Sequence, residues 1–121
     1  MMPRNVLVID DSSVTVRKLT AMLEDMGHRV VGTASNGVEA VEAYRQWQPD
    51  VVTMDITMPG MDGIEATRRI LAGFPDAVII MVTSEGCQST VMAALDAGAK
   101  GYVLKPVRPD WLARTIETGM R

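Results

Sequence analysis

A single cysteine, Cys87, rules out an internal disulfide and makes the chain compatible with a reducing cytosol. It is read as a small polar-loop residue rather than a redox centre. No apolar run approaches the roughly 18 residues needed to span a bilayer. The opening residues MMPRN lack the apolar core of a signal peptide. Membrane insertion is therefore not expected, and the expected location is cytoplasmic. The 12 basic residues, against 15 acidic ones for a net charge of -3, are scattered rather than clustered, which disfavours direct nucleic-acid binding. Histidine is nearly absent, and the lone His28, just after Gly27, reads as part of a surface turn. At 121 residues the chain is long enough for one domain that needs no disulfide or structural metal, so residues 1–121 are expected to form a single unit.

What the chain does contain is a regular alternation. The runs at 6–10, 30–34, 51–55, 78–83 and 102–105 are short, apolar and rich in β-branched residues, which favours strands. Between them lie five stretches of helical spacing. The first carries Val16, Leu19, Leu23 and Met26, with Ser12 or Ser13 to cap it and Gly27 to stop it. Asn36 and Gly37 open a second, which Pro49 must end. Ile64, Thr67, Ile70 and Leu71 mark a third, Val91, Ala94 and Leu95 a fourth, and Leu112 and Ile116 a fifth after Pro109. Five repeats of strand then helix imply a parallel sheet covered on both faces. Ligands of such sheets bind beyond the carboxyl ends of the strands. Asp10, Asp11, Asp55, Thr83 and Lys105 all fall there.

Three carboxylates at one sheet edge repel one another unless a cation sits among them. An all-oxygen cluster without histidine or cysteine selects a hard ion, so magnesium is the expected metal and manganese an able substitute. A charged lysine cannot ligate a metal, but Lys105 can neutralise a carboxylate or grip a phosphoryl oxygen, and Thr83 offers a hydroxyl to the same oxygen. Together these residues describe a pocket for a phosphoryl group carried on an aspartate.

The acidic pair Asp10 and Asp11, the segment MDITMPGMDG around Asp55, the triplet Thr83 to Glu85, and Lys105 followed by Pro106 occur in the order and at about the spacing found in receiver domains of two-component response regulators. The chain resembles that family over essentially its whole length, and especially the small chemotaxis-type members. The resemblance implies a flavodoxin-like, doubly wound sheet of five parallel strands in the order 2-1-3-4-5, flanked by five helices. It implies Asp55 as phosphoacceptor, with Thr83 and Lys105 binding the phosphoryl oxygens. Magnesium would be held by Asp11, Asp55 and the backbone carbonyl of Thr57, with Asp10 acting largely through water. A sensor histidine kinase would donate the phosphoryl group, and Thr57 and Glu85 would tune its lifetime, which a phosphatase could shorten further. Thr83 and Tyr102 would form the switch, altering the face of the fourth helix, fifth strand and fifth helix, where Lys100, Arg108 and Trp111 meet an output protein such as a flagellar motor component. A cis bond before Pro106 is a family habit. The implied role is a signalling domain that assists its own phosphorylation and dephosphorylation, not an enzyme.

Plainer readings exist for single residues. Asp11 alone could cap the first helix, Tyr102 could be a core tyrosine with its hydroxyl bonded at the surface, and Asp62 fits loop and helix-start chemistry better than a further ligand. Met54, Met58, Met61 and Met81 read as packing residues, with Met92 at the partner face. Because the chain closes where the fifth helix should end, a free-standing module is expected. The alternatives are the receiver of a longer transcription factor or methylesterase, and a magnesium-dependent phosphohydrolase. The last would need an acid two residues after its nucleophile, where this chain has Thr57. A flavin site is disfavoured because Asp10 and Asp11 would repel the flavin phosphate.

Overall fold

The computed structural model describes residues 2–121. Strands β1 (Asn5–Ile9), β2 (Arg29–Ala34), β3 (Val51–Met54), β4 (Ile79–Thr83) and β5 (Gly101–Leu104) alternate with helices α1 (Ser13–Asp25), α2 (Gly37–Trp47), α3 (Gly63–Gly73), α4 (Gln88–Asp96) and α5 (Pro109–Gly119). All strand pairs are parallel, and the sheet order is β2-β1-β3-β4-β5. The flavodoxin-like arrangement implied by the resemblance is therefore present. The expected strands are right in number and place, but three of them run one residue long at the carboxyl end: Asp10, Asp55 and Lys105 stand just past β1, β3 and β5. Each still donates its N–H to the neighbouring strand, and regular pairing stops with them, so the three side chains stand at one sheet edge.

Period-2 alternation divides the strand residues between two cores. Val6, Val8, Val51, Ile80, Val82 and Val103 face α1 and α5, meeting Leu19, Leu23, Leu112 and Ile116. Leu7, Ile9, Val52, Met54, Ile79 and Met81 face α2, α3 and α4, meeting Tyr44, Ala66 and Ile70. Met54, Met58 and Met81 are buried as packing residues, while Met92 is half exposed on α4. Thr53 is the exception in the first core: it is 1% exposed and its hydroxyl has no partner. An unpaired buried hydroxyl is destabilising, so Thr53→Val, which keeps the shape, should raise unfolding stability by about 1 kcal/mol. Urea denaturation of the two proteins would show it, and a loss of stability would mean that the hydroxyl is in fact bonded.

Helix ends follow the local chemistry. Ser12, Asn36 and Asp62 cap α1, α2 and α3, each accepting from the N–H three residues on. Asp62 thus has the helix-start role. Gln48, left-handed at φ 39°, closes α2 directly before Pro49. Gly27, at φ 90°, ends α1 in a double bond: its N–H reaches the Glu24 carbonyl and that of His28 reaches Leu23.

That turn corrects the reading of His28 as a surface residue. The position after the left-handed glycine turns back onto the helix, and His28 is only 4% exposed. Its Nδ1 accepts the Arg4 N–H at 3.0 Å, and its Nε2 is buried without a partner among the described residues. Burial, then the positive charges of Arg4 and the amino terminus, pull its pKa below 6.5, with Glu117 opposing. A depressed folded pKa means that the unfolded chain takes the proton first as pH falls. The His28 contribution is therefore complete above about pH 6.5 and lost below it. His28→Asn should flatten this loss, read as the difference in unfolding free energy between pH 7.5 and 5.5. An unchanged slope would remove His28 as its source.

Candidate functional site

The site begins with the backbone. The Asp10 N–H donates to the Ala34 carbonyl, that of Asp55 to Ile9, and that of Lys105 to Thr83, each at 2.9 to 3.0 Å. These bonds extend the ladders by one step and hold the three charged residues side by side above the β1, β3 and β5 ends. Alternation continues along each strand, so Asp10, Asp55 and Lys105 prolong the face that carries Val8, Thr53 and Val103. Thr83 ends β4 on the other face, together with Tyr102 of β5, which packs on the second core.

Asp10, Asp11 and Asp55 each place a carboxylate oxygen within 4.8 Å of the others. Asp10 and Asp55 are buried and Asp11 is exposed. Lys105 Nζ lies between the buried pair, 2.8 Å from Asp10 Oδ2 and 3.6 Å from Asp55 Oδ2. The other oxygen of Asp10 accepts the Ser12 N–H at 2.9 Å. One lysine against three carboxylates leaves the cluster short of positive charge. The shortage shows at Asp55, whose pKa is pushed up from 3.8 to about 6 by burial first and by Asp10 and Asp11, against the pull of Lys105 and the Ile56 N–H. An all-oxygen donor set in this electrostatic state fits a hard divalent cation.

The contacts of this centre join Asp10, Asp11, Asp55 and Lys105; the other expected residues lie on neighbouring segments of the chain. Thr57 is exposed in the loop after Asp55. The Thr83 hydroxyl accepts the Glu85 N–H at 3.1 Å, which leaves its own proton free to donate. Tyr102 is partly buried, and its hydroxyl is enclosed with no partner among the described residues, so the plain reading of a hydroxyl bonded at the surface does not hold. The Lys105–Pro106 peptide is cis. Cys87 caps α4 only by position; its exposed thiol is pulled down to about 7 by the hydroxyls of Ser89 and Thr90.

Two glycines have a role that helix-start pattern alone does not show. An ideal Cβ on Gly63 would come within 2.0 Å of the Asp55 carbonyl oxygen, and one on Gly37 within 2.5 Å of the Met61 carbonyl. The only local signal was their place at helix starts. A cleft of about 530 Å³ lies beside β5 and α5, away from the acidic cluster, lined by Lys100, Tyr102, Arg108, Trp111 and Arg114 among others.

A parallel sheet in this order with an acidic triad and a lysine at its carboxyl edge defines an α/β fold whose charged site suits a hard cation. Residues 6–117 match the response regulator receiver domain family, and the chain belongs to it. It is 44% identical over 116 residues to the chemotaxis protein CheY of Thermotoga maritima, covering 96% of this chain and 94% of that one. It is 45% identical to a protein-glutamate methylesterase/protein-glutamine glutaminase of Hahella chejuensis, covering 97% of this chain but only 35% of that longer protein. Among solved structures, the CheX-CheY-BeF3-Mg complex from Borrelia burgdorferi matches with a TM-score of 0.92 and 36% identity, covering 97% of this chain and 89% of that one. Among the described residues, no helix is long and apolar enough to cross a membrane.

Proposed function

We propose that this chain is a phosphorylation-controlled binding module in which Asp55 accepts a phosphoryl group from a sensor histidine kinase. The observation that carries this reading is Lys105 Nζ set between the buried Asp10 and Asp55 carboxylates beside an exposed Asp11. Asp11, Asp55 and the Thr57 carbonyl would hold magnesium, with Asp10 supporting it; manganese could substitute. The ion, when bound, offsets the charge that keeps the Asp55 carboxylate and an incoming phosphoryl group apart.

An Asp55 oxygen attacks phosphorus in line, the O–P bond forms as the N–P bond to the donor histidine breaks, and the freed imidazole keeps the bonding electron pair. Lys105 and the Thr83 hydroxyl then donate to phosphoryl oxygens. Water attacking the same phosphorus releases inorganic phosphate and restores the carboxylate, so the domain returns to rest without a further reactant. Thr57 and Glu85 would tune that approach, and a partner phosphatase could accelerate it.

Movement of Thr83 toward the phosphoryl group would be read by Tyr102, whose hydroxyl makes no bond that holds it in place. Phosphorylation would shift a two-state equilibrium by its differential affinity for the two states. The cleft by α5, with exposed Lys100, Arg108 and Trp111, is then the surface offered to an output protein, in chemotaxis, motility or another pathway. Incubation with an acyl phosphate and magnesium should add one phosphoryl group per chain by intact mass. No uptake with metal present would reject the reading.

A second reading, the receiver of a longer methylesterase-type regulator, is favoured by the match to a third of such a protein. Coding sequence continuing beyond Arg121 into a hydrolase domain would establish it.

A further inference from the structure

We propose that Gly37 is a positioning residue for the phosphoacceptor loop. Its bare Cα lets the start of α2 press directly on Met61, and that contact sets where Asp55 and Thr57 sit. The inference rests on the functional reading above but concerns a residue on another helix, 18 positions before Asp55 in the sequence.

The geometry runs through backbone rather than through flexible side chains. A Cβ on Gly37 would meet Met61 at three points: its carbonyl oxygen at 2.5 Å, its Cβ at 2.7 Å and its Cγ at 2.8 Å. A carbonyl and a Cβ cannot swing aside, so helix and loop would have to separate. Beyond Met61 the loop has little slack. Asp62 caps α3 through the Glu65 N–H at 2.8 Å, and the Gly63 N–H is bound to the Ile56 carbonyl at 2.8 Å. Gly63 also approaches the Asp55 carbonyl so closely that no side chain fits between them. A push on Met61 is therefore delivered to Asp55 and Ile56. Met61 also packs against the buried core, which resists displacement the other way.

The sign of the effect separates this role from a structural one. Gly37 is buried but does not adopt a positive φ, so alanine suits its backbone and has the higher helix propensity. By propensity alone, Gly37→Ala would leave the protein as stable or more so. The positioning role predicts instead a displaced loop and a weakened site in a folded protein.

The test compares wild type, Gly37→Ala and a control, Gln46→Gly, which weakens the exposed side of α2 without touching Met61. In metal-free protein, the amide resonances of Asp55 to Thr57 should move in Gly37→Ala and stay in place in the control. Magnesium affinity should fall about tenfold. The phosphorylation rate at saturating magnesium and acyl phosphate should fall roughly tenfold to a hundredfold, as small misplacements of reacting groups do, with little change in the half-saturating donor concentration. Wild-type resonances and metal affinity in Gly37→Ala would overturn the proposal. If that variant does not fold, Met61→Ala, which removes only Cγ and beyond, should shift the same resonances to a lesser degree, and wild-type values there overturn it equally. Failure of wild type to accept phosphate would count against the functional reading, while the metal-free resonances would still decide the role of Gly37.

Discussion

Asp55→Asn should take up no phosphoryl group from an acyl phosphate, and without metal it should be more stable than wild type at neutral pH. Loss of uptake follows because an amide is neither anionic nor nucleophilic enough to attack phosphorus. The gain in stability follows from the pKa of about 6, raised from 3.8 by burial and by Asp10 and Asp11. A raised folded pKa means that the native state holds its proton while the unfolded chain ionises. The Asp55 contribution to stability is thus lost as pH rises between about 4 and 6, opposite in direction to that of His28. At pH 7.5 the penalty is at most about 3 kcal/mol, and asparagine, with nearly the same shape, removes it. Adding magnesium should reverse the order, because only wild type offers the full ligand set and ligand binding stabilises by mass action. Urea denaturation with and without the ion measures both effects. A wild type that is already the more stable protein without metal would contradict this electrostatic account.

Lys105→Ala is the second change with a large expected effect. The Asp10 side chain is 1% exposed and accepts the lysine at 2.8 Å; without that partner it keeps only the Ser12 N–H as a neutral donor. Breaking one side of a buried pair leaves an uncompensated charge, at a cost of about 3–5 kcal/mol. Magnesium should restore part of that loss, since a cation would again face Asp10. Phosphorylation should slow by roughly a hundredfold even at saturating metal, because a donor aimed at the phosphoryl oxygens is gone. A loss of stability under about 1 kcal/mol, the range of an exposed ion pair, would mean that the lysine does not neutralise the buried acids.

Sequence alone reached the sheet because each strand is a short apolar run and each helix carries a periodic stripe bounded by Ser12, Asn36, Asp62 or a stop glycine. It made legible that Asp10, Asp55 and Lys105 come together, because parallel strands bring their carboxyl ends to one edge, so residues far apart in sequence become neighbours by topology. It missed His28 because the chemistry of Gly27 was read as a stop and not as a turn that folds the next residue inward. It showed Gly37 only as a helix start and gave no sign of the close contacts of Gly37 and Gly63, because what each touches, Met61 and the Asp55 carbonyl, depends on how α2, α3 and the β3 loop pack, and no local pattern encodes that distance. The resemblance points to Tyr102 as a switch residue, while the burial of its hydroxyl appears only in three dimensions.

The most direct test of the central claim is chemical mapping of the modified residue. Protein treated with an acyl phosphate and magnesium would be reduced with borohydride, which converts an aspartyl phosphate to homoserine, and then digested and sequenced by mass spectrometry. The account predicts homoserine at position 55 alone, dependent on magnesium. Homoserine at position 10 or 11, or a stable phosphate on a serine or threonine, would contradict it.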